Sequence, residues 1–293
     1  MRYRFIEAHR ESYPVRRLCR ALRVSVSGYY AARGRSVSAR GQRQATLTER
    51  IRAIHVASRA TYGAPRVHLD LRDQGAGCCK NTVARLMRKA AIVPKTVRRF
   101  KVTTDSRHTK ASPNLLGRVF KAAQPNACWL TDITYIQTRA GWLYLAAILD
   151  LHSRAIVGWA MREHMDRQLV MDALGMALDR RGTAPGILHS DRGSLYAMAE
   201  YRRLLLQHGI RQSMSRKADC WDNAPMESFF HTLKTELVMH CDYQTREQAR
   251  ASLFEYMEVF YNRQRRHSAL NYASPLDFEA MNRPLIKVST VRG

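Results

Sequence analysis

Cys128-Trp129-Leu130-Thr131-Asp132-Ile133-Thr134-Tyr135-Ile136 is a run of apolar and β-branched residues with one acidic side chain, Asp132, at its centre, and it reads as a strand. Trp142 to Asp150 is a second apolar run after the turn Thr138-Arg139-Ala140-Gly141, and Ala155 to Met161 a third after Leu151-His152-Ser153-Arg154. Three strands joined this tightly form an antiparallel meander whose register the turns set. Asp166 is placed to cap a helix in which Leu169, Val170, Ala173, Leu174, Ala177 and Leu178 make one apolar stripe, and Gly182 ends it. Ile187 to Ser190 reads as a fourth strand that delivers Asp191. A helix near Met198 to Gln207 ends at His208-Gly209, and Ile210 to Met214 is the fifth strand. A meander, a crossover helix and further strand-helix alternation predict an α/β layer fold, a mixed five-stranded sheet flanked by helices.

Glu227 follows Asp191 by 36 positions on another predicted helix. Asp222 or Asn223 is placed to cap it, Pro225 suits its first turn, and Met226, Phe229, Phe230, Leu233 and Leu237 keep apolar spacing. Glu227, His231 and Lys234 recur at i, i+4 and i+7 and share one face. Taken alone, Glu227 is an ordinary feature of an amphipathic surface. With Asp132 and Asp191 it completes a set of three carboxylates able to hold two divalent cations about 3.5 to 4 Å apart, the arrangement that activates one oxygen and stabilises another in phosphoryl transfer on nucleic acid.

Charge bounds the substrate. With 49 basic and 24 acidic side chains the chain carries a net charge of +25, which favours a polyanionic partner. The excess is concentrated: residues 1–120 hold 27 basic and 6 acidic side chains, so the remainder is close to neutral. The first part therefore reads as a DNA-handling arm and the second as a catalytic body. The alternative, a basic helical bundle that only keeps the protein soluble, needs far less charge than this.

Within the arm, Val15, Leu18, Cys19 and Leu22 recur at helical spacing, Arg23-Val24-Ser25 breaks the pattern, and Ser25 caps a second helix through Tyr29-Tyr30. This is helix-turn-helix spacing, with Arg16, Arg17, Arg20 and Arg23 free to reach phosphates. A second hairpin spans Tyr62 to Ile92. Pro65 lies in its first turn, Gly75-Ala76-Gly77 makes its turn, and its last helix turns Val83, Leu86 and Met87 inward and Lys80, Arg85, Arg88 and Lys89 outward. Residues 94–117, with Lys95, Arg98, Arg99, Lys101, Arg107 and Lys110 among Thr and Ser, read as a basic linker able to track a DNA backbone. The expected organisation is a basic helical region over 1–93, a linker over 94–120, a catalytic core with a helical tail over 121–280 and a C-terminal extension over 281–293. The six cysteines show no paired CxxC spacing, and adjacent Cys78-Cys79 are poorly placed to close a tetrahedral zinc site. With no secretory signal or long apolar span, reduced thiols in a cytoplasmic protein are expected.

Three blocks resemble those of bacterial insertion-sequence transposases: Trp129 to Tyr135, His189-Ser190-Asp191-Arg192-Gly193-Ser194-Leu195-Tyr196, and Asn223-Ala224-Pro225-Met226-Glu227-Ser228-Phe229-Phe230. The branch is family three, whose second reading frame encodes an integrase core related to retroviral integrases. The 35 residues between Asp191 and Glu227 match the spacing of its DDE group, and Lys234 matches the basic position that group shares. Upstream, Tyr62-Gly63-Ala64-Pro65-Arg66-Val67 and Val83-Ala84-Arg85-Leu86-Met87 are similar to the family's helical domain. Downstream, Tyr261-Asn262, Arg265, His267, Leu270, Ser274-Pro275 and Phe278 are similar to its tail. The resemblance covers residues from about 10 to 280.

It implies an RNase H-like fold, two Mg²⁺ (or Mn²⁺) ions held by Asp132, Asp191 and Glu227, and a polynucleotidyl transferase acting on double-stranded DNA at terminal inverted repeats and target DNA. Water frees a 3′-hydroxyl, which then attacks a second phosphodiester; the first joining often links one end of the element to the other as a circular intermediate. Lys234 is implied to touch a phosphate near the cut, with His189, Asn223 and His231 one layer behind the ligands. A homo-oligomer on DNA in the bacterial cytoplasm, associated with the nucleoid, is also implied. The chain departs from the pattern in showing no sustained heptad repeat, so end binding and multimerisation point to an upstream-frame partner or fusion. The His and Cys pairs of the retroviral zinc module are missing as well. Two other classes fit the composition: a DNA-binding regulator whose carboxylates are structural, and a hydrolytic nuclease of the same fold.

Overall fold

A computed structural model describes residues 1–34, 38–95, 112–216 and 220–282, so Arg98, Arg99 and most of the expected linker lie outside the described residues. The chain forms two compact units, Met1–Ala57 with Val67–Val93, and Ser58–Arg66 with residues 94–293.

In the first unit, α1 (Arg2–His9), α2 (Val15–Ala21) and α3 (Val26–Arg33) enclose Ile6, Cys19 and Tyr29. Ser25 caps α3 as its sequence predicts, its Oγ accepting from the Gly28 amide at 2.9 Å, which satisfies one of the amides that a helix start leaves without a partner. The turn before it puts Arg23 at φ +50. A long helix, α4 (Ala39–Ala57), was not expected from the sequence. Only Ile51 and Ile54 of it are buried, so it carries no apolar stripe for periodicity to detect. It packs on α6 (Lys80–Lys89), which follows α5 (Ala64–Asp73) and a turn with Gly75 at φ +75. Val83, Leu86 and Met87 are the buried residues of α6, as the spacing predicts.

The second unit is built on five strands: β1 (Cys128–Thr138), β2 (Gly141–Asp150), β3 (Ile156–Arg162), β4 (Ile187–Ser190) and β5 (Arg211–Met214), in the order β3-β2-β1-β4-β5. β1 to β3 form the expected antiparallel meander, and β4 and β5 add to β1 in parallel. The crossover is α7 (Arg167–Arg181), capped by Asp166, whose Oδ1 accepts from the Leu169 amide at 3.0 Å, and closed by Gly182 in the left-handed conformation. Its stripe of Leu169, Val170, Ala173, Leu174 and Ala177 packs with Trp129, Ala146, Ile148 and Val157 of the sheet. Gly158 lets helix and sheet touch, since a Cβ there would lie 2.4 Å from the Ala173 carbonyl oxygen. α8 (Ala199–Gln207) leads into β5, and α9 (Ala224–Glu236) and α10 (Arg246–Glu255) each pack against β1. α10 runs on as a π-helical stretch, Tyr256–Tyr261, and α11 (Pro275–Met281) ends the described chain.

Two polar devices hold the tail to the sheet. β3 is an edge strand, and the Asn262 side chain imitates a neighbouring strand by bonding both the amide and the carbonyl of Ile156, each at 2.9 Å. Glu236, at the end of α9, accepts both arms of the Arg265 guanidinium at 2.7 and 2.8 Å and the Tyr256 hydroxyl at 2.8 Å, all three residues being buried. This network anchors the helix that carries Glu227. Among the described residues no helix is long and apolar enough to cross a membrane.

Candidate active site

The parallel pairing of β1 with β4 ends at Leu130 opposite His189. β1 runs on for eight residues with no partner on that side, while β4 stops at Ser190. Continuing the same register by two residues brings Asp132 alongside Asp191, so the two carboxylates emerge where the sheet opens. The Asp132 Oδ1 accepts from the following amide, Ile133, at 2.8 Å. The Asp191 Oδ1 accepts from the Gly193 amide at 2.8 Å, closing a tight turn in which a Cβ on residue 193 would sit 2.9 Å from that oxygen. Glu227 lies in the first turn of α9, with Pro225 at the helix start. All three carboxylates are partly exposed, so the site is open to solvent.

Their electrostatics bind them together. Burial first, then the charge of Asp191 and more weakly that of Glu227, push the Asp132 carboxyl well above the usual carboxylate range, against the pull of the Ile133 amide and Lys234. Burial raises Asp191, opposed by the Gly193 amide, and burial raises Glu227. Lys234 is pushed down by burial and drawn back up by the charge of Asp132. Three acidic groups that resist ionisation around one opening are hard oxygen donors short of positive charge, and this donor chemistry fits a divalent cation such as Mg²⁺. Among the described residues no group of three His, Cys, Asp or Glu side chains, these three carboxylates included, stands close enough together to hold a metal ion as placed.

The other expected site residues divide. Lys234 joins the carboxylates electrostatically and lies with its Nζ 5.0 Å from the centre of the Tyr135 ring. Asn223 is buried: its amide group donates to the Thr131 carbonyl at 3.2 Å, while its Oδ1 has no hydrogen-bond partner among the described residues. His189 is held in the sheet, Nδ1 to the Ser213 hydroxyl at 2.8 Å and Nε2 to the Ser215 hydroxyl at 3.3 Å. Burial lowers its pKa to about 4, so it stands as a neutral bridge from β4 toward β5. His231 is exposed on α9. Arg16, Arg17 and Arg20 on α2, and Lys80, Arg85, Arg88 and Lys89 on α6, are all exposed.

Neither expected cap of α9 caps it: Asn223 occupies the position, but its side chain makes no capping hydrogen bond to the helix. Asp222 is instead a buried clamp. It accepts from the Arg216 amide at 2.8 Å, from two guanidinium nitrogens of Arg216 at 2.9 and 3.0 Å, from Arg118 at 3.0 Å and from Asn114 at 2.8 Å. Arg216, ahead of Arg118, holds its carboxyl far below the usual carboxylate range. The clamp ties residues 114–118 to the approach of the helix bearing Glu227. A carboxylate next to a helix start reads as a cap, and only the folding back of Arg216, six residues before it, and of distant Arg118 reveals otherwise. Tyr196 was also without an assigned role: buried, it shares a hydrogen bond of 3.2 Å with the Thr131 hydroxyl, and burial and the charges of Asp132 and Asp191 keep its phenol protonated.

Residues 122–220 and 227–282 match models of an integrase core domain, and residues 42–100 match an HTH-like domain. The chain is 42% identical over 286 residues to transposase InsF for insertion sequence IS3A of Escherichia coli (strain K12), covering 96% of this chain and 99% of that one. It is also 42% identical over 263 residues to the insertion element IS600 uncharacterized 31 kDa protein of Shigella sonnei, covering 89% and 97%. Among solved structures, a chain of the simian T-cell lymphotropic virus intasome resembles it with a TM-score of 0.48 at 14% identity, over 80% of this chain and 75% of that one.

Proposed function

The chain belongs to the transposases of the IS3 type of insertion sequence, and we propose that Asp132, Asp191 and Glu227 are the catalytic carboxylates with which it cuts and joins DNA at the element's terminal inverted repeats. The observation that carries this reading is the pairing of β1 with β4, which ends at Leu130 opposite His189 and leaves Asp132 and Asp191 at the same open end of the sheet, with the helix that bears Glu227 packed on β1.

The three carboxylates are the groups that would hold two Mg²⁺ or Mn²⁺ ions. When bound, such ions supply charge to activate the attacking oxygen and stabilise the departing one. The reaction balances without a covalent enzyme intermediate. The oxygen of water bonds to phosphorus as the bond to the 3′-oxygen breaks, and the freed 3′-hydroxyl then attacks a second phosphodiester, forming one phosphorus–oxygen bond as another breaks. The protein contributes position and charge. Lys234 offers a cation to a phosphate beside the cut, the Gly193 and Ile133 amides orient Asp191 and Asp132, and the Asp222 clamp and the Glu236–Arg265 pair steady the two ends of α9. Residues 1–93 serve as the basic DNA-binding region, 94–120 as a linker that includes Arg98 and Arg99, 121–280 as the catalytic core and 281–293 as an extension. Arg16, Arg17, Arg20, Lys80, Arg85, Arg88 and Lys89 contact phosphates on the element's ends. The working form is a homo-oligomer on DNA in the bacterial cytoplasm, completed by an upstream-frame segment acting as partner or fusion.

The test is strand transfer with a labelled terminal-repeat duplex and Mg²⁺, using both an uncut end and one already carrying a free 3′-hydroxyl. Joined product is expected from both, lost on Asn substitution of Asp132 or Asp191 or Gln substitution of Glu227, with DNA binding retained. Cleavage without joining of the pre-cut end would mark a nuclease, and activity surviving all three substitutions would refute the site.

A further inference from the structure

An exposed aromatic corner stands at the hairpin end of β1 and β2, next to Lys234. Tyr135 is 52% exposed and Trp142 45% exposed, their rings 5.1 Å apart and nearly perpendicular at 88°. They sit on neighbouring strands next to the hairpin that joins β1 to β2, and Lys234 lies over the Tyr135 ring. A large aromatic left half in water loses much of what burial would gain, so an exposed pair capped by a cation is a surface prepared for a flat partner. The corner is held firmly. Thr138 closes the turn by donating to the Gly141 carbonyl at 2.6 Å, Arg139 donates its amide to the Tyr243 carbonyl at 2.9 Å and pairs with Asp242, and Arg246 holds the Trp142 carbonyl at 3.1 Å.

We infer that Tyr135 and Trp142 form a stacking platform for a nucleobase that has left the duplex beside the strand being cut. The inference rests on the catalytic reading of Asp132. Tyr135 is three residues along β1 from Asp132, or about 10 Å at the rise of a strand. It leaves the strand on the opposite face, with Lys234 of α9 reaching its ring at the edge that β4 leaves open. Along the duplex axis each strand places a phosphate every 3.4 Å or so, and an unstacked strand spaces them more widely, which puts the platform at most about three nucleotides from the phosphate at the carboxylates. Exposed aromatic faces bind unstacked bases without regard to sequence, and a neighbouring cation reinforces the contact while neutralising the phosphate that follows. Lys234 against the Tyr135 ring ties the aromatic pair to the helix that carries Glu227.

The experiment measures binding of a labelled terminal-repeat duplex in which each of the last few nucleotides of the cleaved strand is replaced in turn by an abasic site, with wild type, Tyr135→Leu, Tyr135→Phe and Trp142→Leu. Leu keeps apolar bulk for the hairpin and removes the ring, while Phe keeps the ring. For the intact end, Tyr135→Leu and Trp142→Leu should weaken binding roughly five- to a hundredfold, and Tyr135→Phe little. At one abasic position wild type and the Leu variants should bind equally, the mark of direct coupling. Ratios between wild type and Leu variants that stay constant at every abasic position would overturn the platform. Joining of the intact end by wild type in the same preparation separates the two readings: with joining present and coupling absent only the platform falls, whereas absence of joining falls on the catalytic assignment.

Discussion

Replacing Asp132 by Asn should make the metal-free protein more stable while abolishing its activity. Asn preserves the shape and the Oδ1 acceptor for the Ile133 amide, and removes only a charge. Adjacent strands lie about 4.8 Å apart, and the pairing that ends at Leu130 opposite His189 would, continued by two residues, set Asp132 beside Asp191 at about that near limit. Two like charges roughly 5 Å apart at an effective dielectric of about 20 repel by about 3 kcal/mol. Since both side chains are partly exposed, solvent screens some of this, and about 1–2 kcal/mol should be recovered on substitution. In a unit of this size that is a rise of roughly 2–8 °C in Tm. The pH dependence has a definite sign. Because the folded carboxyls are raised, the folded protein keeps protons that the unfolded chain releases above about pH 4, so wild-type stability falls as pH rises from there through the raised values. The Asn variant should lose part of that slope. The assay is thermal unfolding in EDTA across pH 4–8, repeated with Mg²⁺, where wild type should gain stability by ligand linkage and the variant should gain less. A lower Tm for the variant in EDTA, with an unchanged pH slope, would refute the picture of crowded, mutually repelling acids.

Gly158→Ala should destabilise the core by about 1–3 kcal/mol or more in urea unfolding, because the added methyl meets Ala173 and Ala177 backbone atoms at 2.4 and 2.8 Å that cannot rotate away. Asp222→Ala should cost about 3 kcal/mol, near the low end for breaking a buried ion pair because its arginines are half in water. Its carboxyl is depressed, so its contribution is present above about pH 4 and fades as pH falls below that, a loss of acid stability that the variant should no longer show. Removing Arg85 and Arg88 together should weaken binding to DNA of any sequence and flatten the dependence of log affinity on log salt by about 2, as measured by salt titration.

Much of this protein was legible along the chain because the signals are local. Apolar and β-branched runs joined by tight turns marked the meander, Asp166 and Gly182 bounded α7, Ser25 started α3, and the charge imbalance separated a basic arm from a near-neutral body. Three acidic residues in their blocks pointed to one site before any distance was available. Helix α4 escaped because only Ile51 and Ile54 of it are buried, leaving no periodicity to read. Asp222 reads as a cap because two of its partners, Asn114 and Arg118, lie more than a hundred residues away, and nothing local marks Arg216 as the third. His189 sits next to the motif aspartate in sequence, yet its ring turns to Ser213 and Ser215 on the far side of β4. The same rule separates the two groups. Caps, turns and apolar stripes act over a few residues and are written in order along the chain. Which carboxylates share a charge field, which arginine neutralises a buried acid and which aromatic rings are left facing water depend on strand register and helix packing, and these exist only once the chain has closed on itself.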